Sequence, residues 1–218
     1  PAELEPPVPL PEGLEVWGID SGVRHAVGGS DYGAVRTAAF MGYRIIAQHA
    51  DLRAVGTAPG RVQIADARWG GYLANISPAE WERRFREHIP ERIDGAGFLA
   101  RYEGITDQVT MVDPAQTYAV RACTAHPIYE HQRVRLFRAL LRGGAAHEEE
   151  RRLLGELMEQ SHASYSACGL GSPGTDRLVD LVRAAGPAAG LYGAKITGGG
   201  SGGTVAVLAR SGSADVVQ

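Results

Sequence analysis

The stretch that most limits what this chain can become is Gly198-Gly199-Gly200-Ser201-Gly202-Gly203, in which five of six residues are glycine. It stands between two apolar runs, Leu191 to Thr197 and Thr204 to Leu208, whose β-compatible and β-branched residues read as strands. Glycine gives up backbone entropy when ordered, roughly 0.5–1 kcal/mol per residue relative to alanine in a regular element. Such a loop therefore needs an offset. A sharp turn is one, although two residues suffice for a hairpin. Close approach of the main chain to a ligand is the other, with successive N–H groups forming an anion-binding concavity. The loop is thus a candidate phosphate or substrate site, with a flexible hairpin tip as the alternative.

A chain of 218 residues is long enough to bury a real core in one medium domain or one and a half. Its 22 basic side chains, nearly all arginine, are balanced by 25 acidic ones, for a formal net charge of −3. That argues against a nucleic-acid partner, which would demand clustered cations. No apolar run is long enough to span a membrane and no signal-peptide pattern opens the chain, so a cytoplasmic protein with no membrane partner is expected. Cys123 and Cys168 lie far apart in sequence without metal-ligand spacing and read as free thiols of a reducing compartment. His126 and His131 have no third ligand after them, and no metal site is predicted.

Residues 1–13 carry five prolines and read as an extended linker or arm, leaving 14–218 as the folded part. Leu14 to Asp20 reads as a strand. It leads through Ser21-Gly22-Val23-Arg24-His25 to Gly28-Gly29 and to a helix from Asp31 to about Gln48, with Ser30 as N-cap. Strand, glycine pair and capped helix start form a site-building arrangement, and Arg24, His25, Asp31 and Tyr32 all belong to it. Arginine pairing and ordinary tyrosine packing are the plainer readings of Arg24 and Tyr32.

Residues 51–76 read as irregular. Ser77-Pro78-Ala79-Glu80 is a strong helix start, with Trp81, Phe85 and Ile89 on one face. Gly95 to Tyr102 reads as a short helix, and Gln108 to Asp113 and Thr117 to Arg121 as strands. A long helix is expected after His126-Pro127 up to Gly143-Gly144, its arginine-rich face solvated. Another should run from His147 to about Tyr165, and a third should start at Ser172-Pro173. His162 reads as a satisfied core histidine. Helices alternating with strands and a final hairpin predict α+β, a small, largely antiparallel sheet covered by helices. The chain opens without methionine and ends in what reads as the first turn of a helix, which implies part of a longer polypeptide.

Two stretches then resemble a known family. Gly18-Ile19-Asp20-Ser21-Gly22-Val23-Arg24-His25, followed by Ser30-Asp31-Tyr32-Gly33-Ala34-Val35-Arg36, resembles the Asn-Ser-x-Val-Arg-His…Ser-x-Tyr-x-x-Arg-Arg region of galactokinases. Gly193 to Gly203 is similar to the third motif of the GHMP small-molecule kinases. Ser161-His162-x-Ser164-Tyr165 and Asp176-x-Leu178-Val179 match the segment between them, so the resemblance runs from about Val16 to the end. Ala125-His126-Pro127-Ile128-Tyr129-Glu130 and the insertion from Trp69 to Tyr102 point to the galactokinase-like domain of L-arabinokinases. Ser201 stands where galactokinases usually carry Phe, and Gly22 where they carry Asn.

The resemblance implies ATP-dependent phosphorylation of a monosaccharide hydroxyl, the anomeric one, in L-arabinose or a galactose-like sugar. By position, Gly198 and Gly199 would touch substrate, Gly200, Ser201, Gly202 and Gly203 would lie near the transferred phosphate, Tyr32 would contact the sugar, and Arg24 would lie near the catalytic aspartate. The serine-rich phosphate loop of that family, its catalytic aspartate and its Mg²⁺ carboxylate are not in this sequence. This chain therefore resembles a GHMP kinase C-terminal domain whose ATP and Mg²⁺ contacts lie in a missing N-terminal domain, and alone it is expected to be inactive. A non-catalytic sugar-sensing module that keeps the fold is the alternative.

Overall fold

The computed structural model describes residues 6–24 and 30–217. In chain order these form β1 (Leu14–Asp20), α1 (Ser30–His49), β2 (Ala54–Ala58), β3 (Gly60–Ile64), α2 (Pro78–Glu80), β4 (Ile93–Asp94), α3 (Gly95–Tyr102), β5 (Gly104–Ile105), β6 (Thr117–Tyr118), α4 (Val120–Arg142), α5 (Glu148–Ala167), α6 (Pro173–Ala185), β7 (Leu191–Ile196), β8 (Thr204–Arg210) and α7 (Ala214–Val217). Helices on small, largely antiparallel sheets are the α+β class the sequence predicts.

The chain divides into two compact units. The first draws on the described residues of Pro1–His25, Arg133–Ala163 and Gly171–Gln218. Its sheet has the order β1-β8-β7, antiparallel throughout, with Asp20 opposite Thr204 and Ile196 opposite Val205. Val205, Val207 and Ala209 point to one face, where Val179 and Val182 of α6 cover them. Leu208 and Tyr192 point to the other, beneath Leu154 and Met158 of α5. Because both faces are buried, β8 is apolar in nearly every position instead of alternating with polar residues. On that second face α5 lies directly on β7: a Cβ at Gly155 would overlap the carbonyl of Tyr192, and one at Gly193 would overlap the main chain of Gly155.

The second unit draws on the described residues of Ala26–Gln132 and Ser164–Leu170. Its core gathers Met41, Ile45 and Ile46 of α1 with Trp81, Phe85 and Ile89, Phe98 of α3, and Val120 and Ile128 of α4. Ser77 caps as its position predicts, accepting the Glu80 N–H at 3.1 Å. The helix it starts tightens and loosens on the way, through a π-turn at Trp81–Phe85 and a 3₁₀ turn at Arg86–His88. Gly42 is buried where α1 crosses α4, and a Cβ there would land on Thr124 Oγ1.

Four expectations need correction. Residues 54–64, read as irregular, form the β2–β3 hairpin. Gln108 to Asp113 is not a strand; it wraps the carboxylate of Asp107, which accepts the N–H groups of Val109 and Thr110. Thr117 to Arg121 is strand only at Thr117–Tyr118, paired with β4. α4 starts at Val120, so Pro127 lies inside the helix instead of ahead of it. Gly28-Gly29, His25 and the capping geometry before Ser30 lie outside the described residues.

Candidate functional site

In the first unit three pieces of main chain converge at one end of the β1-β8-β7 sheet. The first is the glycine loop. Thr197 closes it, its N–H and Oγ1 both donating to the Thr204 carbonyl at 2.9 and 2.8 Å. Gly198, Gly200, Ser201, Gly202 and Gly203 all have φ between +60° and +130°, the region open to glycine and costly for serine. The second is the exit of β1. Gly203 N–H donates to the Val23 carbonyl at 3.0 Å, and Ser21 N–H donates to the Gly203 carbonyl at 2.9 Å. A Cβ on Gly202 would sit 2.6 Å from the Val23 oxygen. The third is the start of α6, where a Cβ on Gly174 would come 2.6 Å from Val23 Cγ2 and 3.2 Å from the Ser21 carbonyl.

The loop is therefore not a free hairpin tip. Gly200 and Gly202 are buried, whereas Gly198 and Gly199 are exposed. Arg24 follows Val23 directly and is exposed beside the anchored end. A capping box starts α6: Ser172 Oγ accepts the Thr175 N–H, and Thr175 Oγ1 accepts the Ser172 N–H.

His162 braces this arrangement from beneath. Its Nδ1 accepts the Ile196 N–H at 3.3 Å, so the ring proton sits on Nε2, which faces Asp176 Oδ1 at 3.0 Å. One imidazole thus joins the first turn of α6 to the last residue of β7, next to the loop. Burial holds its pKa below the ordinary histidine value, against the opposing pull of Asp176. The reading of His162 as a satisfied core residue agrees with these bonds; its place beneath the loop was not legible, because no sequence pattern links it to Ile196.

Tyr32 belongs to the second unit, on the first turns of α1, with 52% of its surface exposed. Arg36, one turn on, lies within electrostatic reach of the Tyr32 side chain and clamps Asp107 through Nε and Nη2, both at 2.7 Å. Asp107 is 3% exposed and also accepts from Thr110 Oγ1 at 2.7 Å. The Arg36 bond, with the Thr110 and Val109 donors, holds the Asp107 carboxyl far below the usual carboxylate range despite burial. Tyr165 lies within electrostatic reach of Glu130 and Tyr32, and burial raises its hydroxyl pKa. The His126 ring meets Tyr165 edge-on at 4.9 Å and its Nδ1 contacts Ser164 Oγ at 2.8 Å. Asp107 escaped the sequence reading, although Asp-x-x-Thr is a turn signal that could have found it.

Among the described residues, no group of three or more His, Cys, Asp or Glu is placed to hold a metal ion, and no helix is long and apolar enough to cross a membrane.

The anchored loop lies in the part of the chain, residues 136–218, that matches the family model "GHMP kinases C terminal". Residues 136–218 are thus similar to the C-terminal region of GHMP kinases. An L-arabinokinase of Arabidopsis thaliana is 43% identical over 230 residues, an alignment that takes in 97% of this chain and 22% of that protein. The chain thus spans about a fifth of the length of the curated relative it matches. A galactokinase of Lactococcus lactis, solved in complex with galactose, shares the fold with a TM-score of 0.60 at 17% identity, over 97% of this chain and 41% of that one. The GHMP resemblance read from the two motifs agrees with all three.

Proposed function

We propose that this chain is the C-terminal part of an ATP-dependent sugar kinase that phosphorylates the anomeric hydroxyl of L-arabinose or a galactose-like monosaccharide. One observation carries the reading: the glycine loop is pinned to the strand exit beside Arg24 through Gly203 and Val23 instead of waving free. The 43% identity to an L-arabinokinase supports the substrate class. In this reading residues 14–218 are the GHMP C-terminal domain and 1–13 an arm, and the longer protein works in the cytoplasm.

ATP with Mg²⁺ supplies the transferred group when bound, and the serine-rich loop, catalytic aspartate and metal carboxylate belong to the N-terminal part of the longer protein. The residues of this chain position and stabilise. Gly198 and Gly199 line the sugar. The loop from Gly200 through Ser201 and Gly202 to Gly203 brings main-chain donors up to the phosphoryl oxygens, where no Cβ of its glycines obstructs them; charge stabilisation and positioning are most of what phosphoryl transfer asks of a protein. Arg24 keeps the catalytic aspartate ionised, as a nearby cation does, and Tyr32 contacts the sugar.

The test is a coupled ATP-consumption assay on the longer protein with a panel of monosaccharides. Turnover of L-arabinose or galactose is expected. In the Gly202→Ala variant the added methyl meets the Val23 carbonyl and displaces the loop, which should lower kcat by about a hundredfold. No turnover of any sugar, or a Gly202→Ala enzyme as fast as wild type, would overturn the reading. The 218-residue chain alone should turn over none.

A further inference from the structure

The second unit contains a cavity of about 320 Å³ that the kinase reading does not use. Cys123, in the first turn of α4, and Cys168, just past the end of α5, both line it. Forty-five positions apart in the chain, they meet in space. The Cys123 thiol lies within interaction range of the Cys168 thiol, and Cys168 Sγ reaches the Ala122 carbonyl at 3.5 Å, one residue before Cys123. Both are reduced, 2% and 6% exposed.

We infer that Cys123 and Cys168 form a reversible dithiol–disulfide pair, oxidised by small hydroperoxides that enter this cavity. Buried structural cysteines are ordinarily inert because apolar surroundings disfavour the thiolate and keep reagents out. Neither condition holds here. The cavity admits a molecule of peroxide size, and Arg92 is the one formally charged residue among the described residues that line it. The interaction with Cys168 lowers the Cys123 pKa, outweighing burial. Closing the pair brings the two sulfurs, which already line one cavity, to a bonded separation of about 2 Å.

The chemistry balances in two steps. The Cys123 thiolate attacks the terminal oxygen of R–O–O–H; the O–O bond breaks, R–O⁻ leaves and takes a proton to become R–OH, and Cys123 becomes a sulfenic acid. The sulfur of Cys168 then attacks that sulfur, the S–S bond forms, the S–O bond breaks, and hydroxide leaves with the Cys168 proton as water. The two cysteines together lose two electrons and the hydroperoxide gains them. A dithiol reductant reverses the change.

The test treats the reduced chain with hydrogen peroxide under native conditions, then measures intact mass and titrates thiols after denaturation. Loss of two hydrogens, loss of both thiols together, a digest in which the Cys123 and Cys168 peptides are joined, and recovery with dithiothreitol are expected. In Cys168→Ser the sulfenic acid persists at Cys123 and is trapped by dimedone; in Cys123→Ser the Cys168 thiol survives. Retention of both thiols at a peroxide dose that oxidises free glutathione would overturn the pair. So would linkage between two chains, or equal oxidation of Cys168 with and without Cys123. If a serine variant does not fold, the mass and digest of wild type alone decide.

Discussion

Asp107 shows at the scale of one residue how much a buried carboxylate can organise. It is almost fully covered, yet it accepts a two-pronged bond from Arg36, the hydroxyl of Thr110 and two main-chain N–H groups, so its charge is neutralised by donors and not by water. Asp107→Asn keeps the volume but turns one acceptor into a donor that faces Arg36. Hydrogen bonds to charged groups are worth about 2 kcal/mol, and Arg36 is partly solvated, which moderates the loss. Asp107→Asn should therefore lower stability by about 2 kcal/mol, read as a lower urea midpoint at unchanged slope; an unchanged midpoint would refute the account. Ser201, at φ 60°, is the counter-example, a residue in costly backbone space whose side chain forms none of the bonds that anchor the loop.

Among elements, the α1–α4 crossing turns on Gly42. Alanine is the better helix former by about 1 kcal/mol, but the added methyl would collide with Thr124, which is wholly buried and tied to the Val120 carbonyl at 2.6 Å. Overpacking at a fixed contact costs about 3 kcal/mol, so the clash wins. Gly42→Ala should lower the thermal midpoint by several degrees, while Gly33→Ala, with open space around it, should not. The sequence carried the elements whose ends bear chemistry: Ser77-Pro78 and Ser172-Pro173 start helices, and Gly95 to Tyr102 is a helix with the expected bounds. It hid those set by tertiary contact. The β2 strand, Ala-Val-Gly-Thr-Ala, has too few bulky residues to announce itself and is held by pairing with β3. Pro127 reads as a boundary because it removes a helical donor, yet packing carries α4 through it. The glycine loop was legible as a site candidate; its anchor at Val23 was not, since main-chain partners leave no mark in side-chain identity.

For the whole molecule, each unit has its own buried core, and both hold groups that couple stability to pH. His162 in one unit and His49 in the other have lowered pKa values, through burial and, at His49, also the nearby His88 and Arg101, so each takes up a proton less readily when folded than when unfolded. Their contribution is present above the unfolded histidine value and fades as pH falls through about 6.5. Asp107 and Asp66 follow at lower pH. Burial opposes ionisation of Asp66, but the N–H groups of Trp69, Gly71 and Arg68 and the Tyr43 hydroxyl prevail. Both carboxylates are held low, so their share begins to disappear below about pH 4. The thermal midpoint should drop in two stages on acidification; a midpoint that rises between neutrality and mild acid would contradict this. One consequence follows from the bare contact of α5 against β7. At Gly155 and Gly193 main chain rests on main chain with no side chain to slide or repack, which holds helix and strand together as a single stalk, and Val23 and Ser21 tether the far end of the loop at Gly203. The conformational freedom that remains in the loop falls to Gly198, Gly199, Gly200 and Ser201, a joint four residues long.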